Sequence, residues 1–472
     1  MEKKQGQFLP TLTLASATYL VISSVIGTGV YKKVALMSGE LHSPSLVLLC
    51  WFLGGMLTLC GALSNSEIAS MYAGTGGEYI YFKRIYGRFI AFLFGWSNFT
   101  VIKTASISSI AYVFAQSFNS LITLPHFSAE IENITVLSIF KPFESIGIKL
   151  LTIIVILALT YLNTLGLKNG ESLSRRLTQM VIVGIGLIVL AGFLFGGGEV
   201  AHLTTPAKGF VPSSVTNFGL MKMIFAGLLA TFWAYEGWNT VGYIGGEIKN
   251  PSKNLPLALF FGLITIITVY MLANAMYLYV LPVDDLINVN NAQNKIAAVE
   301  VVRHFGGAIG ASLLSVLILF TTLGCTNATI LMPPRIYQTM AQDGIFFEKA
   351  KEIHPVYNTP TPALWMQGGW ASILVLSGNF DQLTEMLIFV AFFFYGATTL
   401  GVFILRVREP NTPRPYKVWG YPFVPAIFVL FCATLIPITI INSPREAGLG
   451  LLLMFSGVPF YLYWRMKMRT GK

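Results

Sequence analysis

The stretch Val25-Ile26-Gly27-Thr28-Gly29-Val30 lies in the middle of the first long apolar segment of the chain. A second stretch, Trp233-Ala234-Tyr235-Glu236-Gly237-Trp238-Asn239, lies in the middle of the sixth apolar segment. Glycine destabilises a helix interior by about 1 kcal/mol relative to alanine, and it is commonest just past a helix end. We therefore predict that both segments are helices interrupted at mid-length.

The composition around these stretches is that of a membrane protein. The chain has 472 residues, is 54% hydrophobic and only 11% charged, and has a mean hydropathy of +0.67. Soluble domains carry about 25% charged residues. No ten-residue alternating pattern suggests a β-barrel, so helices must satisfy the backbone in lipid. The fold class is therefore all-α integral membrane.

The apolar segments are about 20 residues long or more, which is enough for a helix to cross ~30 Å of hydrocarbon. They predict about twelve transmembrane helices, at 11–36, 45–69, 89–118, 148–165, 176–197, 219–245, 255–281, 309–338, 362–378, 383–406, 423–442 and 447–464.

The net charge of +10 reflects topology rather than nucleic-acid binding. Lys and Arg concentrate in alternate loops, which predicts a multi-pass plasma-membrane protein with cytoplasmic N- and C-termini. Met1 to Pro10 lacks a signal-peptide cleavage pattern. The four cysteines fall within predicted spans, and we expect neither a disulfide nor a metal site.

The two interruptions are separated by five spans, so they occupy corresponding places in two five-span halves. We predict one transmembrane domain (1–472) in which 10–198 and 219–406 are inverted repeats, followed by two extra spans (423–465). Paired interrupted helices indicate the central site of a transporter. The alternative is that the glycines only allow close helix packing.

The chemistry of the interruptions predicts the ligand class. Freed amides at the start of the outer half-helix, with the Thr28 hydroxyl, suit a carboxylate. Freed carbonyls of Trp233, Ala234 and Glu236 suit an ammonium group. Together these groups describe an α-amino acid, with Trp233 and Tyr235 as aromatics that cover or gate it. The candidate substrate-binding residues are Val25, Ile26, Gly27, Thr28, Gly29, Trp233, Ala234, Tyr235 and Glu236.

An ordered set of motifs resembles the amino acid–polyamine–organocation superfamily, and within it the L-amino-acid transporter family. The resemblance implies a LeuT-type fold of five plus five spans and alternating access. It also implies that the substrate carboxylate lies at Thr28 and Gly29, and that Trp233 is a gating aromatic. The matching stretches are Ile26 to Val30, Thr75 to Tyr79, Tyr86-Gly87, Tyr235 to Trp238, Glu247 to Pro251, Pro334-Arg335, Asp343-Gly344, His354-Pro355 and Arg414 to Lys417.

The chain departs from the family at the position of a fifth-span lysine that replaces a sodium ion in many relatives, because Val181 stands there. Sodium coordination by Thr321 and Thr322 with first-span carbonyls is one alternative. A proton is another possible coupling ion, and no other cofactor is expected.

Lys103 lies within the third span, where a charge costs about 3 kcal/mol and therefore needs a partner. Glu236 and Glu67 are the candidate partners. The pair has either a structural role or a role in substrate recognition or proton coupling. Glu78 is expected to pair with Lys83 or Arg84.

We therefore predict a secondary transporter of α-amino acids, either an exchanger or an ion-coupled symporter. The alternatives are a carrier of amines or amino-acid conjugates, and a non-transporting amino-acid sensor. No constellation of catalytic groups and no ATP-binding motif is present in the sequence, so we expect no enzymatic activity. The stretch 119–147 has no cysteine, so no covalently linked subunit is expected. Arg335 and Asp343 are suited to an ion pair or gate at one end of the bundle.

Overall fold

The structure is a computed structural model that describes residues 8–135, 141–211, 215–291, 295–377 and 380–470. Within these residues the regular structure is helical, and the backbone bridges Leu12–Ile248 and Thr75–Ile244 are isolated. The ends of the chain that we predict to be cytoplasmic, 1–7 and 471–472, lie outside the described residues.

The described residues form nineteen α-helices, of which the first nine are α1 Leu14–Val25, α2 Gly29–Leu41, α3 Pro44–Met71, α4 Glu78–Ile85, α5 Arg88–Ser97, α6 Lys103–Leu121, α7 Ala129–Glu132, α8 Ile146–Thr164 and α9 Leu167–Phe195. A π-helical turn, Asn98–Ile102, joins α5 to α6, so that α5 and α6 form one long span.

Ten further α-helices follow: α10 Asn217–Tyr235, α11 Pro251–Val280, α12 Val283–Asn291, α13 Ala297–Leu331, α14 Pro334–Gln342, α15 Thr361–Ser377, α16 Phe380–Arg408, α17 Phe423–Asn442, α18 Pro444–Phe455 and α19 Gly457–Thr470. Short 3₁₀ segments include Trp238–Tyr243 and Gly245–Glu247, which follow α10.

Ten helices or joined helices of the described residues are long and apolar enough to span a membrane, and α1 with α2 makes an eleventh. The prediction of an all-helical membrane fold is confirmed at this level. The difference from the predicted twelve spans lies at α15, which has 17 residues. At 1.5 Å per residue it is about 26 Å long, close to the lower limit for a span.

Both predicted interruptions are present. Helix α1 ends at Val25, Ile26 is extended, and α2 begins at Gly29 with its axis bent by 41° from that of α1. Helix α10 ends at Tyr235, after which the backbone is extended at Glu236. The chain then turns at Gly237, whose φ of 109° favours glycine.

The interrupted spans cross each other at these breaks. A Cβ atom on Gly29 would lie 2.4 Å from the Cβ atom of Ala234, and one on Gly237 would lie 2.3 Å from the Ser24 carbonyl oxygen. Both distances are far inside van der Waals contact. These glycines therefore allow the close approach of two backbones.

The two ends of the bundle differ. The end that carries residues 8–13, called here the N-terminal face, is held by a buried ion pair between Arg335 and Glu247 and by a partly buried pair between Arg406 and Glu67. The opposite face opens into a cavity of about 1510 Å³ whose lining includes α2, α6, α10 and α13. The structure is therefore closed at the N-terminal face and open at the other.

Candidate functional site

The gap between the two breaks is the centre of the predicted site. It is a cavity of about 10 Å³, roughly enough for one water molecule. Seven of the nine predicted binding residues line it, Ile26 and Tyr235 being the exceptions. Its lining is Ser24, Val25, Gly27, Thr28, Gly29, Ser106, Ile110, Trp233, Ala234, Glu236 and Cys325.

The Thr28 hydroxyl is a buried polar group that makes no hydrogen bond within the described residues. It lies one residue before α2, a helix of 13 residues whose first amide groups point toward the gap. A buried hydroxyl without a partner costs about 1–3 kcal/mol. The gap therefore offers an unused hydrogen-bonding group beside the positive end of a helix dipole.

Tyr270 of α11 connects the two breaks. Its hydroxyl oxygen lies 2.9 Å from the Val25 carbonyl oxygen and 2.8 Å from the Ala234 carbonyl oxygen, so one proton is shared between the last turns of α1 and α10. A carbonyl oxygen has two lone pairs, so each of these carbonyls can accept a second hydrogen bond. The backbone of the two breaks thus keeps acceptors for a ligand.

Lys103 and Glu236 form an ion pair beside the gap. The Lys103 Nζ atom lies 2.6 Å from the Oε1 atom of Glu236, and the two side chains are 1% and 8% exposed. The hydroxyls of Ser106 and Tyr395 also donate to Glu236, at 3.4 and 3.0 Å. Of the two partners considered for Lys103, the structure shows Glu236.

Tyr235 points away from the gap. Its ring packs against Trp51 and Tyr270, and its hydroxyl donates to the Trp51 carbonyl oxygen at 3.2 Å. The residue follows Ala234 directly, so the last helical turn of α10 directs the ring to the α3 side. In this conformation Tyr235 supports the break and does not line its cavity.

Glu67 is not a partner of Lys103. Its carboxylate accepts hydrogen bonds from Arg406 and from the amide group of Val418, and Arg414 lies 3.3 Å away. The expectation was wrong because Glu67 lies near the end of α3 at the N-terminal face, whereas Lys103 lies beside the central gap.

The expected partners of Glu78 are also corrected. Lys83 pairs with Asp343 at 2.6 Å, while Glu78 accepts hydrogen bonds from Asn65 and Asn239. Helix α4 directs Glu78 inward at its first residue and Lys83 toward α14. Arg335 lies 2.8 Å from Glu247, so Arg335 and Asp343 both take part in ion pairs, as predicted, but with different partners.

The sequence model of the family "Amino acid permease" matches residues 12–461 of the chain. The chain belongs to this family. The match covers the first interrupted span, the second one and the first five residues of α19, so the resemblance that we inferred from scattered motifs is confirmed.

Curated relatives of the permease are amino acid transporters. The serine/threonine exchanger SteT of Bacillus subtilis (strain 168) is 32% identical over 460 residues, which are 97% of each chain. The mouse b(0,+)-type amino acid transporter 1 is 29% identical over 468 residues, covering 98% of this chain and 89% of the relative. The human large neutral amino acids transporter small subunit 2 is 28% identical over 458 residues, covering 96% and 81%.

These relatives are transporters and not enzymes, as expected for the permease from its sequence. Membership in a family of transporters also agrees with the ten or eleven helices that are long and apolar enough to span a membrane.

The residues considered for ion coupling in the permease lie on two helices, Val181 on α9 and Thr321 and Thr322 on α13. Val181 of α9 is buried. The Thr321 hydroxyl lies 2.9 Å from the Tyr31 hydroxyl and donates to the Leu317 carbonyl oxygen, and the Thr322 hydroxyl donates to the Ile318 carbonyl oxygen. Both threonine hydroxyls are therefore engaged with their own helix in this conformation.

The large cavity at the opposite face of the permease is rich in charge. Five cationic and three acidic side chains line it: Lys32, Lys33, Lys222, Lys295, Arg303, Glu40, Glu144 and Glu300. The excess of positive charge favours anions and the carboxylate end of a zwitterion.

Sequence reasoning missed three residues of the permease that shape the site: Tyr270, Tyr395 and Asn239. Tyr395 lies on α16 and its hydroxyl is 3.2 Å from the Oδ1 atom of Asn239, which follows the second break. Tyrosines in apolar helices are common, so nothing in the local sequence distinguishes Tyr270 and Tyr395 from the others. Asn239 was within the quoted stretch, and its polarity beside Gly237 was a usable signal.

Proposed function

We propose that the permease exchanges neutral α-amino acids across the plasma membrane by alternating access. The observation that carries the proposal is the crossing of two interrupted helices at a gap with the unpartnered Thr28 hydroxyl. The printed names of the relatives include a serine/threonine exchanger and a large neutral amino acids transporter, which supports both the exchange and the substrate class.

The carboxylate of the substrate binds at the start of α2. The Thr28 hydroxyl and the first amide groups of α2 donate to it, because they lack intrahelical acceptors and face the gap. The ammonium group donates to the open lone pairs of the Val25 and Ala234 carbonyl oxygens. Trp233, which lines the gap, covers the ligand.

The side chain of the substrate is neutral in this proposal because Lys103 already compensates the charge of Glu236. A carrier of amines would need the Glu236 carboxylate for its cationic ligand, and the ion pair withholds it. The amine carrier is therefore the second candidate.

The cavity between the breaks is too small for an amino acid in this conformation. Binding therefore requires the crossing helices to separate. We assign the N-terminal face to the cytoplasm and the large cavity to the outside, so the structure corresponds to an outward-facing state. The architecture proposed for this motion is the five-plus-five inverted repeat of 10–198 and 219–406, with 423–465 as an addition.

Exchange without an ion gradient is favoured over sodium coupling. The relative named as a serine/threonine exchanger supports exchange. The Thr321 and Thr322 hydroxyls donate to carbonyl oxygens of α13, and the lone pairs of their oxygens keep sodium coordination as the alternative. A proton remains a candidate for coupling.

Uptake by the purified chain in liposomes tests this function. Labelled serine, leucine, arginine and a simple amine are offered to vesicles with and without internal amino acid, and with and without sodium and proton gradients. We expect uptake of the neutral amino acids that depends on internal amino acid. Uptake of the amine alone would support the second candidate, and binding without any flux would identify a sensor.

A further inference from the structure

Glu78 differs from the other buried glutamates of the described residues in its surroundings. Glu67, Glu171 and Glu247 each have an arginine within 4.0 Å, whereas no Lys, Arg or His of the described chain lies that close to the carboxylate of Glu78. The residue is 1% exposed. A buried carboxylate without a counter-ion is the setting that favours the protonated form.

Neutral groups surround Glu78 instead. Asn65 of α3 donates to its Oε1 atom at 2.7 Å, and Asn239 donates to its Oε2 atom. The Tyr243 hydroxyl lies 3.5 Å from Oε2. The carboxyl group thus joins three parts of the protein: α3, α4 and the 3₁₀ segment that continues the second interrupted span.

Backbone contacts reinforce this junction. The amide of Gly76 donates to the Tyr243 carbonyl oxygen at 2.9 Å, and Thr75 forms a backbone bridge with Ile244. A Cβ atom on Gly77 would lie 2.7 Å from the carbonyl carbon of Gly242. The loop before Glu78 therefore lies directly against the 3₁₀ segment that follows the second break.

A chain of hydrogen bonds links Glu78 to the central ion pair. Asn239 contacts Glu78 through its amide nitrogen and the Tyr395 hydroxyl through its oxygen, and Tyr395 in turn lies 3.0 Å from Glu236. Glu236 bonds to Lys103. A change of charge at Glu78 consequently alters the hydrogen bonds of the group beside the substrate gap.

We propose that Glu78 is a proton-binding site whose protonation keeps the N-terminal face closed, and that transport by this permease is consequently faster at higher pH, where the carboxylate has lost its proton. The proposal rests on the proposed function, because it concerns the rate of the same transport cycle. Proton binding at Oε2 turns that oxygen into a hydroxyl and removes its charge. When the proton leaves, a buried charge without a counter-ion remains, and this charge favours the arrangement in which α3 and α4 separate from the 3₁₀ segment and water reaches the carboxylate.

The titration range agrees with this role. Burial raises the pKa of Glu78 from 4.5 to about 7, although hydrogen bonds from Asn239, Asn65 and Thr398 and the positive charge of Lys103 lower it. The other ionisable groups near Glu78 are Tyr81 on α4, Tyr243 on the 3₁₀ segment, Glu236 after α10 and Tyr395 on α16. The tyrosines keep their protons at this pH, and the charge of Glu236 is compensated by Lys103.

The test compares the wild-type chain with Glu78→Gln in liposomes. Labelled serine exchange is measured from about pH 6 to about pH 8, over which the protonated fraction of a group with a pKa of about 7 falls about tenfold. We expect the wild-type exchange rate to rise severalfold over this range, as Glu78 loses its proton. The glutamine is a neutral isostere of the protonated acid, so the variant should exchange at a rate near the wild-type value at low pH and should show a flat profile.

Thermal unfolding gives a second readout that does not need transport. A raised pKa in the folded state means that stability is present below pH 4.5, the ordinary pKa, and is lost as the pH rises through about 7. Wild-type protein should lose stability over that window and Glu78→Gln should not. Parallel pH profiles of exchange and of unfolding for the two proteins would overturn the proposal. An absence of exchange by the wild-type chain would instead refute the proposed function, and unfolding would still test the proton site.

Discussion

The Lys103 Nζ atom lies 2.6 Å from the Oε1 atom of Glu236, and this pair is buried beside the gap between the two interrupted helices. Removing one member of a buried ion pair costs about 3–5 kcal/mol, because the other charge stays buried alone. Removing both members costs much less. Single and double variants of the pair can therefore separate its effect on stability from its effect on which substrate charge is preferred.

Lys103→Met should lower the thermal stability and shift the preference of transport from serine toward arginine. The reason is that the Glu236 carboxylate, freed from Lys103, attracts a cationic side chain. Unfolding curves and labelled uptake of both amino acids measure the two effects. The double variant Lys103→Met/Glu236→Gln should regain most of the stability without the new preference for arginine.

Lys222→Met is the matched control, because Lys222 is an exposed lysine that lines the large cavity. It should leave the unfolding temperature unchanged. If Lys103→Met retained wild-type specificity and only lost stability, the pair would be structural and the neutral-substrate assignment would lose its main support.

The sequence predicted the interruptions and the need of Lys103 for a partner, because both follow from local rules. Glycine at the centre of an apolar segment is a local signal, and so is a lysine within a span. The identity of the partner is not local. Lys103 and Glu236 are 133 residues apart, and only the packing of α6 against the second break brings them together.

The wrong partners predicted for Glu78 and the omission of Tyr270 have the same physical origin, which is that both depend on contacts between distant parts of the chain. Glu78 was expected to pair with Lys83 or Arg84 because they are close in sequence, but the direction of each side chain on α4 decides its partner. Tyr270 was not identified because its role depends on two carbonyl oxygens that helix interruption exposes. Sequence patterns show where a helix breaks, and they do not show which distant side chain satisfies the freed groups.

Gly29→Ala should abolish exchange. The new methyl carbon would lie 2.4 Å from the Ala234 Cβ atom and 2.6 Å from its Cα atom, so the two breaks would have to separate. Overpacking of this kind costs about 1–3 kcal/mol. Labelled serine exchange is the measurement, with the amount of folded protein determined by size-exclusion chromatography.

Gly186→Ala provides the control for that substitution. Gly186 lies within α9, and a Cβ atom there meets nothing within 4 Å. Alanine in a helix interior is more stable than glycine by about 0.5–1 kcal/mol, so this variant should be active and at least as stable as the wild type. Wild-type exchange by Gly29→Ala would mean that the breaks are not in close contact during the cycle.

Tyr270→Phe should reduce both stability and exchange. The Tyr270 hydroxyl lies within hydrogen-bond distance of the Val25 and Ala234 carbonyl oxygens. Without it these buried acceptors lose their shared donor, which costs about 1–3 kcal/mol. Tyr337→Phe is the control, because the Tyr337 hydroxyl is buried and makes no hydrogen bond within the described residues. Equal unfolding temperatures for the two variants would show that Tyr270 does not hold the breaks together.

Arg335→Ala should open the N-terminal face. The guanidinium bonds to both carboxylate oxygens of Glu247 and to the Leu331 carbonyl oxygen, and the Phe8 ring lies 5.4 Å from it. The pair with Glu247 joins α14 to the segment that follows the second break, so its loss should raise the population of the open state, tenfold for each 1.4 kcal/mol.

Labelling of Cys325 measures this population, because its buried thiol lies beside Gly27 at the gap. The other cysteines, Cys50, Cys60 and Cys432, are first replaced by alanine. A membrane-impermeant maleimide applied from the N-terminal face should label Arg335→Ala at least tenfold faster than the parent. Lys351→Ala breaks only an exposed ion pair with Glu348, worth about 0–1 kcal/mol, and should label at the parental rate. Equal labelling of Arg335→Ala and the parent would mean that this ion pair does not keep the N-terminal face closed.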